Sequence, residues 1–221
     1  MSTKEFLKRY ILFMISIFFS ALGVAIVNHA NIGSMPVASV SNILYCRFPS
    51  LSLGTWMIIW NIILILGQII ILRKDFRVYN LLQIPLAVAF GIFTDFGVWC
   101  ISCIKLESYA SLIVTVCIGI IVRSFGIALS VIADIILNSS EAFVKAISDT
   151  VKYKFGTIKV IFDIACVIFS VLLSLLFFDF TIIGTREATV MSAILTGVFV
   201  NLFLKLFYKP ITRLVSVKKH A

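Results

Sequence analysis

Seven polar or charged residues interrupt otherwise apolar runs, or stand at their ends: Asn31, Asn61, Asp95, Arg123, Asp134, Asp163 and Asn201. Inside lipid such groups are costly, so each is a candidate for a solute or ion path. The chemistry open to them is binding and charge transfer, not covalent catalysis. The chain shows no nucleophile with a neighbouring base, no phosphate-cradling glycine loop and no metal-ligand spacing. The expectation is therefore a non-enzyme that needs no cofactor and no metal.

Arg123 is the sharpest case. An arginine keeps its proton, so its charge must be met where it sits. At a span centre that charge costs roughly 2.5–3.5 kcal/mol. Arg123 stands about ten residues, or about 15 Å, from the end of its apolar segment, too deep for simple snorkelling. Asp163, about six residues from the same membrane face on the next long segment and within reach of a long arginine side chain, is the expected partner. The bland alternative is a buried ion pair that only fixes helix register. Asp95 and Asp163 have a similar alternative, hydrogen bonding to neighbouring helices.

The elements that must hold these residues follow from hydropathy. Of 221 residues, 61% are hydrophobic and 13% charged, against about 25% charged in a soluble domain. Long apolar segments occupy 8–29, 55–73, 79–102, 108–133, 157–179 and 187–208. Each approaches or exceeds the roughly 20 residues that cross a hydrocarbon core, and each must be helical because lipid satisfies no open backbone. Two shorter segments, 35–48 and 139–155, carry more polar residues and are expected to be interfacial or re-entrant helices. Ser34 is placed to cap the first, with Pro36 in its opening turn, and Asn138 with Glu141 to cap the second. In the second, Phe143, Ile147, Val151 and Phe155 recur at helical spacing, away from Lys145 and Lys152.

The two halves of the chain resemble each other. At an offset of 103, Gly23, Ala25, Ala30 and Ile32 match Gly126, Ala128, Ala133 and Ile135; at 102, Gly54, Thr55, Ile59 and Ile62 match Gly156, Thr157, Ile161 and Ile164. At 106, Ala87, Gly91 and Phe93 match Ala193, Gly197 and Phe199. By the same register Asn61 pairs with Asp163, and Asp95 with Asn201. The repeat also argues that the first segment, preceded by Lys4, Lys8 and Arg9, is a structural element and not a cleaved signal peptide.

Three spans per half make the second half inverted. With the N-terminus inside, fifteen of the nineteen Lys and Arg fall inside, among them Arg73, Lys74, Arg77, Lys145, Lys152, Lys205, Lys218 and Lys219. Only Arg47, Lys105 and Arg186 fall outside, which the positive-inside rule favours over an eight-span layout. The net charge of +9 thus reads as topology and as contact with anionic lipid, not nucleic-acid binding. Five scattered cysteines form no disulfide framework, and Cys100 with Cys103 reads as two small apolar residues on one helix face.

Ala21-Leu22-Gly23-Val24-Ala25, Ala30-Asn31-Ile32-Gly33-Ser34-Met35-Pro36, Leu53-Gly54-Thr55 through Asn61, and Phe155-Gly156-Thr157 through Asp163 together resemble the YczE/YyaS/YitT family of bacterial membrane proteins. The resemblance covers residues 10–208. It implies a bacterial plasma-membrane location and no defined activity. A Gly-Pro turn frequent in that family's second half is replaced here by Leu137-Asn138-Ser139-Ser140.

The expected protein is all-α: six transmembrane helices plus two short helices in a 3+3 inverted repeat, with halves 1–105 and 106–221 forming one membrane domain. Both termini are expected in the cytoplasm. Inverted repeats with short helices at their interface suit a small-solute transporter or permease; the alternative is a non-transporting accessory or assembly factor. The bilayer, a small solute and a second copy of the chain are the candidate partners.

Overall fold

A computed structural model describes residues 3–76 and 78–215. Arg77, Lys218 and Lys219, which enter the charge argument, lie outside the described residues. The helices are α1 (Thr3–His29), α2 (Ser39–Arg47), α3 (Leu53–Leu72), α4 (Gln83–Ile101), α5 (Tyr109–Ala133), α6 (Ser139–Val151), α7 (Phe155–Phe177) and α8 (Glu187–Val215). Six of the eight are long and apolar enough to cross a membrane. The chain is a polytopic, all-helical membrane protein.

Local chemistry sets the helix ends. Ser52 caps α3 by accepting from the Thr55 N–H at 3.1 Å, and Ser108 with Ser111 forms a capping box on α5. Asn138 caps α6 through the Ser139 N–H at 2.9 Å. Asp134 and Lys152, at φ 49° and 55°, end α5 and α6 in the left-handed region. Ser34 does not cap: its hydroxyl donates to the Gly184 carbonyl at 3.0 Å, and the first short segment opens as a 3-10 turn, Pro36–Ala38, before α2. The second short helix stops at Val151, four residues before the expected 155, because Lys152 turns left-handed and Phe155 already begins α7.

Contacts sort the helix ends into two groups. At one end, Lys8 donates to the Leu214 carbonyl at 3.0 Å and Arg9 to the Ala133 carbonyl at 3.1 Å, joining the start of α1 to the ends of α8 and α5. At the other, the His29 ring meets the Ile104 carbonyl at 2.8 Å, the Ala188 N–H reaches the Ile32 carbonyl at 3.1 Å, and Phe48 packs on Trp56 and Phe177. The first group also holds Lys74, Lys145, Lys152 and Lys154, and is called the basic end below.

α1 is central, with 50% of its apolar window buried against 6% for α8. It crosses α5 at close range because small residues meet there. A Cβ on Gly23 would lie 2.6 Å from the Arg123 backbone, and one on Gly126 would lie 2.6 Å from that of Ser20. α4 packs on α1, and α8 on α5. Each short helix packs on a long helix of the other half, α2 on α7 and α6 on α3. On α6, Phe143 packs against Phe162 with ring centroids 5.4 Å apart and covers Gly67, Val144 is fully buried, and Lys145 is exposed.

Candidate functional site

A cavity of about 740 Å³ opens at the basic end between α3, α4 and α6. Its inner wall is made by two buried amides. Gln68 on α3 and Gln83 on α4 lie equally far from the connecting turn, so antiparallel packing brings them face to face. Gln68 Nε2 donates to Gln83 Oε1 at 3.0 Å, and Gln83 Nε2 returns a bond to Gln68 Oε1 at 3.1 Å. The second N–H of Gln68 reaches the Ser139 carbonyl at 3.1 Å, in the opening turn of α6. An amide buried at membrane depth without such partners would cost several kcal/mol. Gln68 has thus used both donors, whereas Gln83 retains one N–H and one lone pair of its oxygen. Towards the mouth, Tyr79 and Asn80 add neutral polar groups, while Asp75, Lys145 and Asp149 supply charge of both signs.

A second polar cluster involves α5, α6 and α7. Lys159 and Asp163 form an ion pair at 2.6 Å, one turn apart on α7. Burial pushes the Glu141 carboxyl above the usual carboxylate range, while Lys159 and Arg123 pull it back down. Arg123, on α5, makes no hydrogen bond or ion pair among the described residues. It faces Glu141 and Asp163 through space. The expected Arg123–Asp163 pair is thus replaced by Lys159–Asp163, since a lysine one turn away reaches the carboxylate first.

A family profile described as a family of unknown function, DUF6198, matches residues 7–205. The chain belongs to this family. No curated protein and no solved structure matches it. The DUF6198 match covers nearly the same stretch as the YczE/YyaS/YitT resemblance but does not link the two families, and it carries no activity over to this chain.

In this DUF6198 chain the seven residues singled out by sequence do not converge, and none lines the cavity. Asn31 makes the turn after α1, at φ 53°. Asn61 is buried and donates to the Met57 carbonyl of its own helix at 2.8 Å. Asp95 reaches across from α4 to the start of α3, accepting from Ser52 Oγ at 2.5 Å and from the Gly54 N–H at 2.7 Å. A carboxylate at a helix N-terminus opposes the macrodipole and satisfies free N–H groups, so its role there is capping. Asp134 is the exposed end of α5, and Asn201 is exposed on α8. Only Arg123 and Asp163 share a cluster. The residues that sequence reasoning passed over are Gln68, Gln83, Glu141 and Lys159. Gln68 and Gln83 had a usable signal: two amides inside apolar segments, symmetric about one turn.

Proposed function

We propose that this DUF6198 protein is a plasma-membrane permease for a small, neutral polar or zwitterionic solute, entering from the cytoplasm through the cavity above Gln68 and Gln83. The carrying observation is that cavity, about 740 Å³, reaching from the basic end to a buried amide pair at the opening turn of a short helix. Its volume falls in the range of small-molecule sites. Its inner wall is neutral and hydrogen-bonding, and its rim carries Asp75, Lys145 and Asp149. The positive-inside rule supports a cytoplasmic position for the basic end and for both termini. The packing of each short helix on the other half supports the 3+3 inverted repeat, and the resemblance to the YczE/YyaS/YitT family supports a bacterial source.

A second reading is an accessory or assembly factor that moves no solute. Two observations favour it: Asp95 and Asp163 are held in protein contacts, and α7 and α8 present broad apolar faces, including Ile164, Ile168, Val190 and Ile194.

Proteoliposomes separate the two. They should be challenged in a stopped-flow light-scattering assay with a panel of urea, glycerol, glycine, alanine and betaine. The permease reading expects protein-dependent entry of at least one solute, abolished by Gln83→Trp, which puts an indole in place of the amide at the cavity's inner wall. If every solute enters as slowly as into empty liposomes, the permease reading fails and the accessory reading stands.

A further inference from the structure

The two halves do not hold equivalent helices in equivalent ways. In the first half, α3 packs closely along α4, through glycines. A Cβ on Gly54 would collide with the Gly91 carbonyl, and one on Gly91 would lie 2.6 Å from the Gly54 carbonyl. Ser52 and Asp95 then lock the start of α3 against α4. The repeat offsets carry Gly54 to Gly156 and Gly91 to Gly197, on α7 and α8. Neither has any heavy atom within 4 Å of where a Cβ would stand, and α7 does not pack along α8 among the described residues. The partners of the lock are undone as well. Lys154, in place of Ser52, provides no side-chain cap, and Asn201, in place of Asp95, is exposed.

The cavity repeats this asymmetry at the opposite ends. Gln68 and Gln83 correspond, at the same offsets, to Ser170 and Thr189. There the chain between α7 and α8 is packed shut. Ser170 bonds Thr185 at 3.1 Å, Ser34 Oγ donates to the Gly184 carbonyl at 3.0 Å, and the Ser34 N–H reaches Thr189 Oγ1 at 3.3 Å. One end is therefore open at both of its features, and the other is closed at both.

We propose that this structure is one of two states in which the halves exchange roles. In the second state Gly156 and Gly197 close α7 onto α8, as Gly54 and Gly91 now close α3 onto α4. Asn201 then caps α7 as Asp95 caps α3, the cavity at the basic end seals, and an equivalent one opens under residues 178–186. Glycine at 156 and 197 is explained by this closure. In the present state nothing there needs a missing side chain, and glycine is a poorer helix former than alanine. The inference rests on the permease reading, since alternating access to one solute site gives the exchange its purpose.

The test uses the full chain with its native cysteines replaced and nitroxide labels at Thr157→Cys and Val198→Cys, both exposed positions. Pulsed dipolar spectroscopy in liposomes should show two distance populations. The shorter should vanish when Gly156→Leu and Gly197→Leu are combined, with no fall in melting temperature because both sites face open space. Gly91→Leu, which wedges α3 from α4, should enrich the shorter population; if that variant does not fold, the leucine pair still decides. A single population that the leucine pair leaves unaltered overturns the proposal. Solute entry in the panel assay together with a single population would remove this inference and keep the permease. Two populations without any solute entry would support the exchange and remove the permease.

Discussion

Among the described residues, nothing hydrogen-bonds the guanidinium of Arg123, yet it sits mid-way along α5. Its position was evident from the sequence because a charge inside an apolar run is a local signal. Its partner was not, because partner choice depends on how α5, α6 and α7 pack, and Lys159 competes for Asp163 from one turn away. The surroundings of Glu141 show the consequence, since Arg123 and Lys159 both hold its carboxyl down against burial. Coupling should therefore be stronger between Arg123 and Glu141 than between Arg123 and Asp163. In double-mutant cycles built on Arg123→Gln, pairing with Glu141→Gln should give a coupling energy within about 0.5–3 kcal/mol, the span of contacting pairs. Pairing with Asp163→Asn should give less. Unfolding in mixed micelles supplies the measurement, and a larger coupling to Asp163 would restore the simpler pair and discard this arrangement. Gln68 and Gln83 teach the converse lesson. Amides carry no net charge and were passed over in the sequence, yet they line the cavity while Asp95 serves as a cap.

Helix boundaries were read closely from hydropathy and capping signals, because both depend on neighbours in sequence. The six spans and the non-crossing character of α2 and α6 follow from length alone. Nine and thirteen residues reach only about 14 and 20 Å at helical rise, short of the roughly 30 Å core. What hydropathy could not give is how tightly α3 meets α4, which depends on two glycines and one carboxylate coming together across the helix pair. That contact makes a paired prediction. Asp95→Ala removes two hydrogen bonds at the start of α3 and should cost about 1.5–3 kcal/mol, the range for a bond to a charged group. Asp95→Asn keeps one acceptor oxygen and should cost less. Gly54→Ala should destabilise through its collision with the Gly91 carbonyl, whereas Gly156→Ala, at the matching place on α7, meets nothing. Melting curves of the four variants in one detergent give the comparison. If Gly54→Ala and Gly156→Ala shift the melting temperature alike, the glycine contact between α3 and α4 is not a stabilising feature.

Across the bundle, geometry gives the relative direction of the helices and charge bears on the side of the membrane. The structure places the start of α1 and the ends of α5 and α8 together through Lys8 and Arg9, so helix direction alternates without reference to charge. The distribution of Lys and Arg supports the proposal that this end is cytoplasmic, because basic loops are retained there. A labelling experiment tests the resulting topology. Lys74 follows α3 and Lys152 ends α6, both exposed at the basic end; Lys105 follows α4, exposed at the other. In a cysteine-free background, Lys105→Cys should react with a membrane-impermeant maleimide added to intact cells. Lys74→Cys and Lys152→Cys should react only after the membrane is opened. An eight-span layout would put Lys74 outside, since α2 would then cross. Labelling of Lys74→Cys in intact cells, with Lys105→Cys protected, would invert the bundle and turn the mouth of the cavity away from the cytoplasm. Labelling of both from outside would break the alternation itself and leave α3 and α4 unable to form the antiparallel pair that joins Gln68 to Gln83.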